Sequence, residues 1–253
     1  MAKARGLSAV AVTDHDTFAG IPRAVQAGRQ NGIRVVPGIE ISTRDAKTGR
    51  KAHILCYCCP HPERLEPLCR HTVESRQQAA LQMVQKVAQM YPISLEMVQR
   101  RAQDSQSLFK QHILHALMDA GYAHEIFGEL FYKLFDRRKG LAYQPVTYPE
   151  TREVLRAIRK AGGVAVLAHP GEYDSYALLE ELAAAHQIQG VEVSHPRNKP
   201  GDEERFRAVA ARYGLLTTGG TDFHGAYTKI PHPLGTCTAT DEELAALLQA
   251  AGD

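Results

Sequence analysis

The chain alternates short, nearly continuous apolar runs with stretches of helical spacing. LSAVAV leads into IPRAVQAGRQNG, GGVAVLAHPG into SYALLEELAAAHQ, and GVEVSHP into DEERFRAVAARYG. Two further apolar runs, IRVVPGIEIS and GLLTTGGTDFHG, complete the series. Runs without polar alternation predict strands buried on both faces, and their alternation with amphipathic stretches predicts mainly parallel pairing, as in an α/β sheet or barrel.

One junction breaks the pattern. Only STRDAKTGRK separates VVPGIEI from AHILCY, too short for a helical crossover, so an antiparallel hairpin is predicted there. Such a hairpin sets His53, at the start of its second strand, beside Glu40, at the end of its first. From about Pro62 the strand signal stops, and ESRQQAALQMVQKVAQM and HILHALMDAGYAHEIFGELFYKLF read as helices. The predicted organisation is a main fold over 1–61 and 150–253, with a helical insertion over 62–149.

Composition changes this picture little. The 253 residues carry 30 Lys and Arg against 28 Asp and Glu, a net charge of +2. That balance creates no field strong enough to draw in nucleic acid or an anionic membrane, so any phosphate contact must be local. No apolar run reaches the ~20 residues of a membrane span, and MAKARG lacks the apolar core of a secretion signal. The five cysteines, Cys56, Cys58, Cys59, Cys69 and Cys237, show no paired zinc spacing and read as reduced core residues. A cytoplasmic location is expected.

Candidate chemistry sits where the strands end. If the strands are parallel, their C-terminal ends share one rim, and those ends carry His15 with Asp14 and Asp16, then Glu40, His169, and Asp222 with His224. Any one of these alone reads more readily as a structural residue than as a ligand. Together, carboxylates and imidazoles would be costly to bury without a cation, and they are ligands suited to zinc, manganese or iron. Clustered cations polarise a phosphoryl group and stabilise a leaving oxygen, so phosphoester or amide hydrolysis follows. The chain has no GxxxxGK[ST] loop, GxGxxG fingerprint or GxSxG elbow, which leaves triphosphate, dinucleotide and serine-hydrolase readings without support. Ser42 shares a strand face with Glu40, and its hydroxyl is either a phosphate donor or a plain hairpin serine. His195 ends a strand at the rim, as a proton donor to a leaving group, a phosphate contact or a structural residue.

The motifs TDHDT, PGIEIS, AHILCY, AHPG and GGTDFHG, in this order, resemble the PHP family, the polymerase and histidinol phosphatase phosphoesterases. The resemblance implies a distorted (β/α)7 barrel with up to three divalent ions at its rim, and phosphate ester hydrolysis by a metal-bound hydroxide. Carried over motif by motif, it makes His15, Glu40, His53, His169, Asp222 and His224 metal ligands, with Glu40 bridging. The likeness is greatest to stand-alone 3',5'-nucleoside bisphosphate phosphatases, also linked to 5'-to-3' trimming of short RNA. LFKQHILHALMDAGY resembles their signature and implies phosphate-binding roles for Lys110 and His112.

Two departures qualify these expectations. The family opens with a strand ending in D-L-H-x-H-S, whereas this chain opens with MAKARG, so a barrel lacking its first strand and a reduced metal load are expected. Where the family has AHPGRY, this chain has AHPGEY, with Glu172 in place of an arginine that contacts phosphate. Arg197, Lys199 or residues of DRRKG are then candidate substitutes, and Asp16 a rim residue facing substrate. The expected activity is metal-dependent hydrolysis of a small phosphorylated substrate, a 3',5'-bisphosphate nucleotide or a short oligonucleotide. Histidinol phosphate hydrolysis and a catalytically weak or inactive module are the alternatives.

Overall fold

The computed structural model describes residues 1–103 and 105–252. Its centre is one six-stranded sheet, curled into a half-barrel, in which the strands follow chain order. These are β1 (Ala9–Val12), β2 (Arg34–Arg44), β3 (Lys51–Tyr57), β4 (Val164–Leu167), β5 (Gly190–Ser194) and β6 (Leu216–Gly219). β1 and β2 run parallel, as do β4, β5 and β6, while β3 runs antiparallel to both of its neighbours. The predicted hairpin is thus β2–β3, with Glu40 opposite Leu55 and Ser42 opposite His53. Because β3 is reversed, its start rather than its end reaches the rim where the parallel strands finish.

The central strands β2 to β5 are rich in apolar residues because both of their faces are covered. Successive strand residues point to opposite sides, and one side carries Ile39, Ile41, Ile54, Cys56, Ala165, Leu167, Val191 and Val193. Against these pack α6 (Thr151–Ala161), α7 (Tyr176–Ala184) and α8 (Asp202–Tyr213), through Val154, Ile158, Leu179, Leu182 and Phe206. The other side carries Val36, Leu55, Tyr57, Val164, Val166 and Ala168, and is closed by Leu247 and Leu248 of α9 (Asp241–Ala251). Each fully buried aliphatic side chain contributes about 1.5–3 kcal/mol. The polar residues Glu40, His53 and Glu192 share this second side, so it changes from apolar to ionisable toward the rim.

The described chain divides into two compact units. The first comprises Met1–Cys69, Tyr148–Phe223 and His232–Asp253, and includes α1 (Ile21–Asn31) with the sheet and its helices. The second comprises Arg70–Thr147 and His224–Pro231. Its core is built by most of α2 (Glu66–Ala88), with α3 (Leu95–Arg101), α4 (Lys110–Asp119) and α5 (Glu129–Phe135), around Val84, Val87, Ile113, Leu114, Leu117 and Leu134. The stretch 112–135, helical in spacing, is divided in the structure between α4 and α5. Gly121 takes φ 80°, and the amides of Gly121 and Tyr122 close back on Met118 and Leu117, a left-handed cap that ends α4. Among the described residues, no helix is long and apolar enough to cross a membrane.

Candidate metal centre

Glu40 is the hub of the site. Beyond β1 the chain stays alongside β2, with the Asp16 amide donating to Glu40 O at 3.0 Å and the Glu40 amide donating to Asp14 O at 3.2 Å. That pairing sets His15 directly opposite Glu40, with Nδ1 3.9 Å from Oε2. From the start of β3, His53 Nδ1 lies 2.5 Å from Glu40 Oε1. From the turn after β4, His169 Nε2 lies 2.9 Å from the same oxygen. His53 meets His15 and His169 edge to face at 5.2 and 5.1 Å.

This carboxylate is 5 % exposed, and burial opposes its ionisation. The charges of His15 and His53, with hydrogen bonds from His169 and His53, outweigh that cost and hold its pKa well below the usual carboxylate range. Burial pushes the His53 imidazole down. For His169 burial also acts downward, but the hydrogen bond and charge of Glu40 dominate and raise it to about 10. The donor set suits a divalent cation. His15, Glu40 and His53 each offer a ligand atom within 4.8 Å of the others, and the buried His169 Nδ1 has no hydrogen-bond partner among the described residues.

A second group adjoins the first through His169, whose ring lies 5.1 Å from that of His195. Glu172, His195 and Asp222 again bring ligand-type atoms within 4.8 Å, but they fit a cation less well. The Arg197 amide donates to His195 Nδ1 at 3.2 Å, so the neutral ring carries its proton on Nε2 and has no lone pair to offer there. This Nε2 is buried, has no hydrogen-bond partner among the described residues, and lies 3.9 Å from Asp222 Oδ2. The Arg197 guanidinium bonds Glu172 Oε1 at 2.5 Å and lies 3.7 Å from Asp222 Oδ2. Glu172 Oε2 is also 3.6 Å from His169 Nδ1.

Several expected residues are placed differently from the sequence reading. Asp16 does not face outward: it is 1 % exposed, and its carboxylate accepts the Ser42 amide at 2.9 Å and the Ser42 hydroxyl at 3.0 Å. That bond commits the one hydroxyl proton of Ser42, the proton a phosphate contact would need. Lys110, His112 and His224 belong to the second unit. There the Lys110 ammonium sits over Tyr143 at 4.6 Å, and His112 Nδ1 accepts the Phe109 amide at 3.1 Å at the head of α4. His224 is exposed and opens the segment 224–231.

Two residues near the cluster escaped the sequence reading. Tyr173 sets its ring 5.0 Å from His53 and 5.5 Å from His169. Glu192, 6 % exposed, accepts the His169 amide at 2.8 Å, and burial raises its pKa. The signal for Glu192 was present as a lone acid inside the apolar GVEVS.

Residues 1–166 match the PHP domain family. A phosphoribosyl 1,2-cyclic phosphate 1,2-diphosphodiesterase from Eggerthella lenta is 36% identical over 230 residues, covering 90% of this chain and 87% of that protein. A 3',5'-nucleoside bisphosphate phosphatase from Chromobacterium violaceum is 26% identical, covering 88% and 79%. Among solved structures, a protein from Bifidobacterium adolescentis assigned as a metal-dependent phosphoesterase superposes with a TM-score of 0.88 at 31% identity, covering 98% of this chain and 88% of that one. With the ionisable rim of its half-barrel sheet, the chain belongs to the PHP family and is a metal-dependent phosphoesterase.

Proposed function

We propose that this chain hydrolyses a phosphate ester on a small ribose-based substrate that carries two phosphate groups. The observation that carries the reading is the buried Glu40 carboxylate, met by imidazoles of His53 and His169 and faced by His15, with the Arg197 guanidinium beside the adjoining group. The names of the relatives support the substrate class, since a phosphoribosyl cyclic phosphate and a 3',5'-nucleoside bisphosphate are both riboses that carry two phosphate groups.

His15, Glu40, His53 and His169 would hold divalent cations, with Asp222 contributing from the end of β6. Manganese, zinc and iron all suit this donor set. Such cations polarise the phosphoryl group and offset the charge that develops on it. The chain itself supplies three further functions. Glu40, held ionised, sets the charge of the site. His195, whose Nδ1 accepts the Arg197 amide, would offer Nε2–H as a hydrogen-bond donor to the charge that develops on the departing oxygen. Arg197, oriented by Glu172 and Asp222, offers a planar pair of donors to the phosphate that is not cleaved.

The test is a side-by-side assay with manganese of phosphoribosyl 1,2-cyclic phosphate, adenosine 3',5'-bisphosphate, a 5'-phosphorylated dinucleotide and histidinol phosphate. One of the doubly phosphorylated riboses should be turned over at a kcat/KM at least tenfold above histidinol phosphate. Arg197→Ala should raise KM for that substrate and lower kcat less. Preference for histidinol phosphate, or an unchanged KM in Arg197→Ala, overturns the substrate class.

A further inference from the structure

Glu192 is a buried carboxyl group flanked along its strand by two valines. Its strand neighbours Val191 and Val193 point to the helix-covered side of the sheet and are 0% exposed, so alternation turns Glu192 to the side that carries Glu40 and His53. A buried carboxylate is retained at high cost unless it is satisfied. Its Oε2 accepts the His169 amide at 2.8 Å. Its Oε1 reaches toward Gly220, where an added Cβ would lie 3.0 Å from that oxygen.

Those two contacts fall on the turns that leave β4 and β6. The first delivers His169 and the second Asp222, and both residues hold left-handed backbone, with φ 26° and φ 51°. Non-glycine residues keep such conformations only when the surroundings impose them. The carboxylate occupies the space between the two turns, bonded to one and packed against the other.

We propose that Glu192 is a positioning residue that holds the His169 and Asp222 turns together, and so sets the geometry in which both residues meet a divalent cation. The inference rests on the metal-dependent reading of the Glu40 cluster but not on the substrate assigned above. Gly220 then has a defined use, since a side chain there would press on the carboxylate.

Manganese binding by calorimetry, measured on Glu192→Ala, Glu192→Gln and Val191→Ala, tests it. Val191→Ala sits on the same strand facing the other way and controls for lost stability. Glu192→Ala should weaken manganese binding about 10- to 100-fold, the usual effect of removing a group that orients a ligand. Glu192→Gln keeps an oxygen acceptor for the His169 amide and should recover most of that loss. Val191→Ala should lower the melting temperature and leave manganese affinity within about twofold of the parent. Parent-like affinity in Glu192→Ala, or equal losses in Glu192→Gln and Glu192→Ala, overturns the proposal, as does a parent chain that binds no divalent cation. If Glu192→Ala does not fold, the affinity of Glu192→Gln decides, and a loss of more than tenfold there counts against the proposal. A parent that binds manganese yet turns over none of the substrates sinks only the substrate reading.

Discussion

Asp16, His169 and Asp222 hold φ values of 57°, 26° and 51°, a region that costs a residue with a side chain roughly 1–3 kcal/mol. At Asp16 the compensation is visible, because its carboxylate accepts two hydrogen bonds from Ser42. Asp16→Ala should therefore lower stability by about 2–3 kcal/mol in denaturant unfolding, since it leaves two buried donors unmet. Asp16→Gly loses the same bonds but fits the left-handed backbone, so it should cost about 1 kcal/mol less than Asp16→Ala. The meeting of His15, Glu40, His53 and His169 was legible in the sequence because each sits at the edge of an apolar run. The Asp16–Ser42 pair was not, since strand alternation does not predict where a side chain points once its own backbone has turned left-handed. Glu192 was hidden differently, by two valines that made its run look like uninterrupted core.

The β2–β3 hairpin brings His53 to Glu40, and it is latched outside the site. Asp45 follows β2 and is 3 % exposed; its carboxylate accepts the Thr48 amide and hydroxyl at 3.1 and 2.7 Å and bonds Arg152 of α6 at 2.9 Å. Burial works against the ionised form, but the hydrogen bonds from Thr48 and Arg152 prevail and lower its pKa. A carboxylate with a lowered folded pKa contributes stability above its unfolded value of about 3.9, and that contribution is lost as pH falls through the folded value. Asp45→Asn should cost about 1–2 kcal/mol near neutral pH. Its stability should fall less than the parent's below about pH 4, which paired urea titrations at pH 7 and pH 3 would read. The hairpin was predictable from a link too short for a helix. The break between α4 and α5 was not read, because the apolar spacing continues through Gly121 while the backbone does not.

At the scale of the whole chain, a cation at Glu40 should act as a folding ligand. Chelator-treated protein should melt lower than the manganese-loaded form and regain both melting temperature and activity when manganese returns. At a free metal concentration 100-fold above Kd the gain is about 2.7 kcal/mol. Identical melting curves with and without metal would contradict a site drawn from the rim residues. The α/β class was legible because both faces of the sheet are buried, which leaves long apolar runs in the sequence. The boundaries of the units were less so: a Leu65 or Cys69 that packs on the sheet looks no different in sequence from the residues of α2 that follow.

The hairpin reversal at β3 also has a polymer-physics consequence. Glu40 contacts His53, 13 residues away, and His169, 129 residues away. The chain between those two histidines, which includes residues 70–147 of the second unit, is therefore a closed loop pinned at its base by the site. Doubling the length of a flexible loop adds only about 0.6 kcal/mol of closure entropy. Residues added at the exposed link around 121–125, between α4 and α5, would thus change the closure entropy of the pinned base very little, whereas deletions within the helices would remove core side chains such as Ile113 and Leu134.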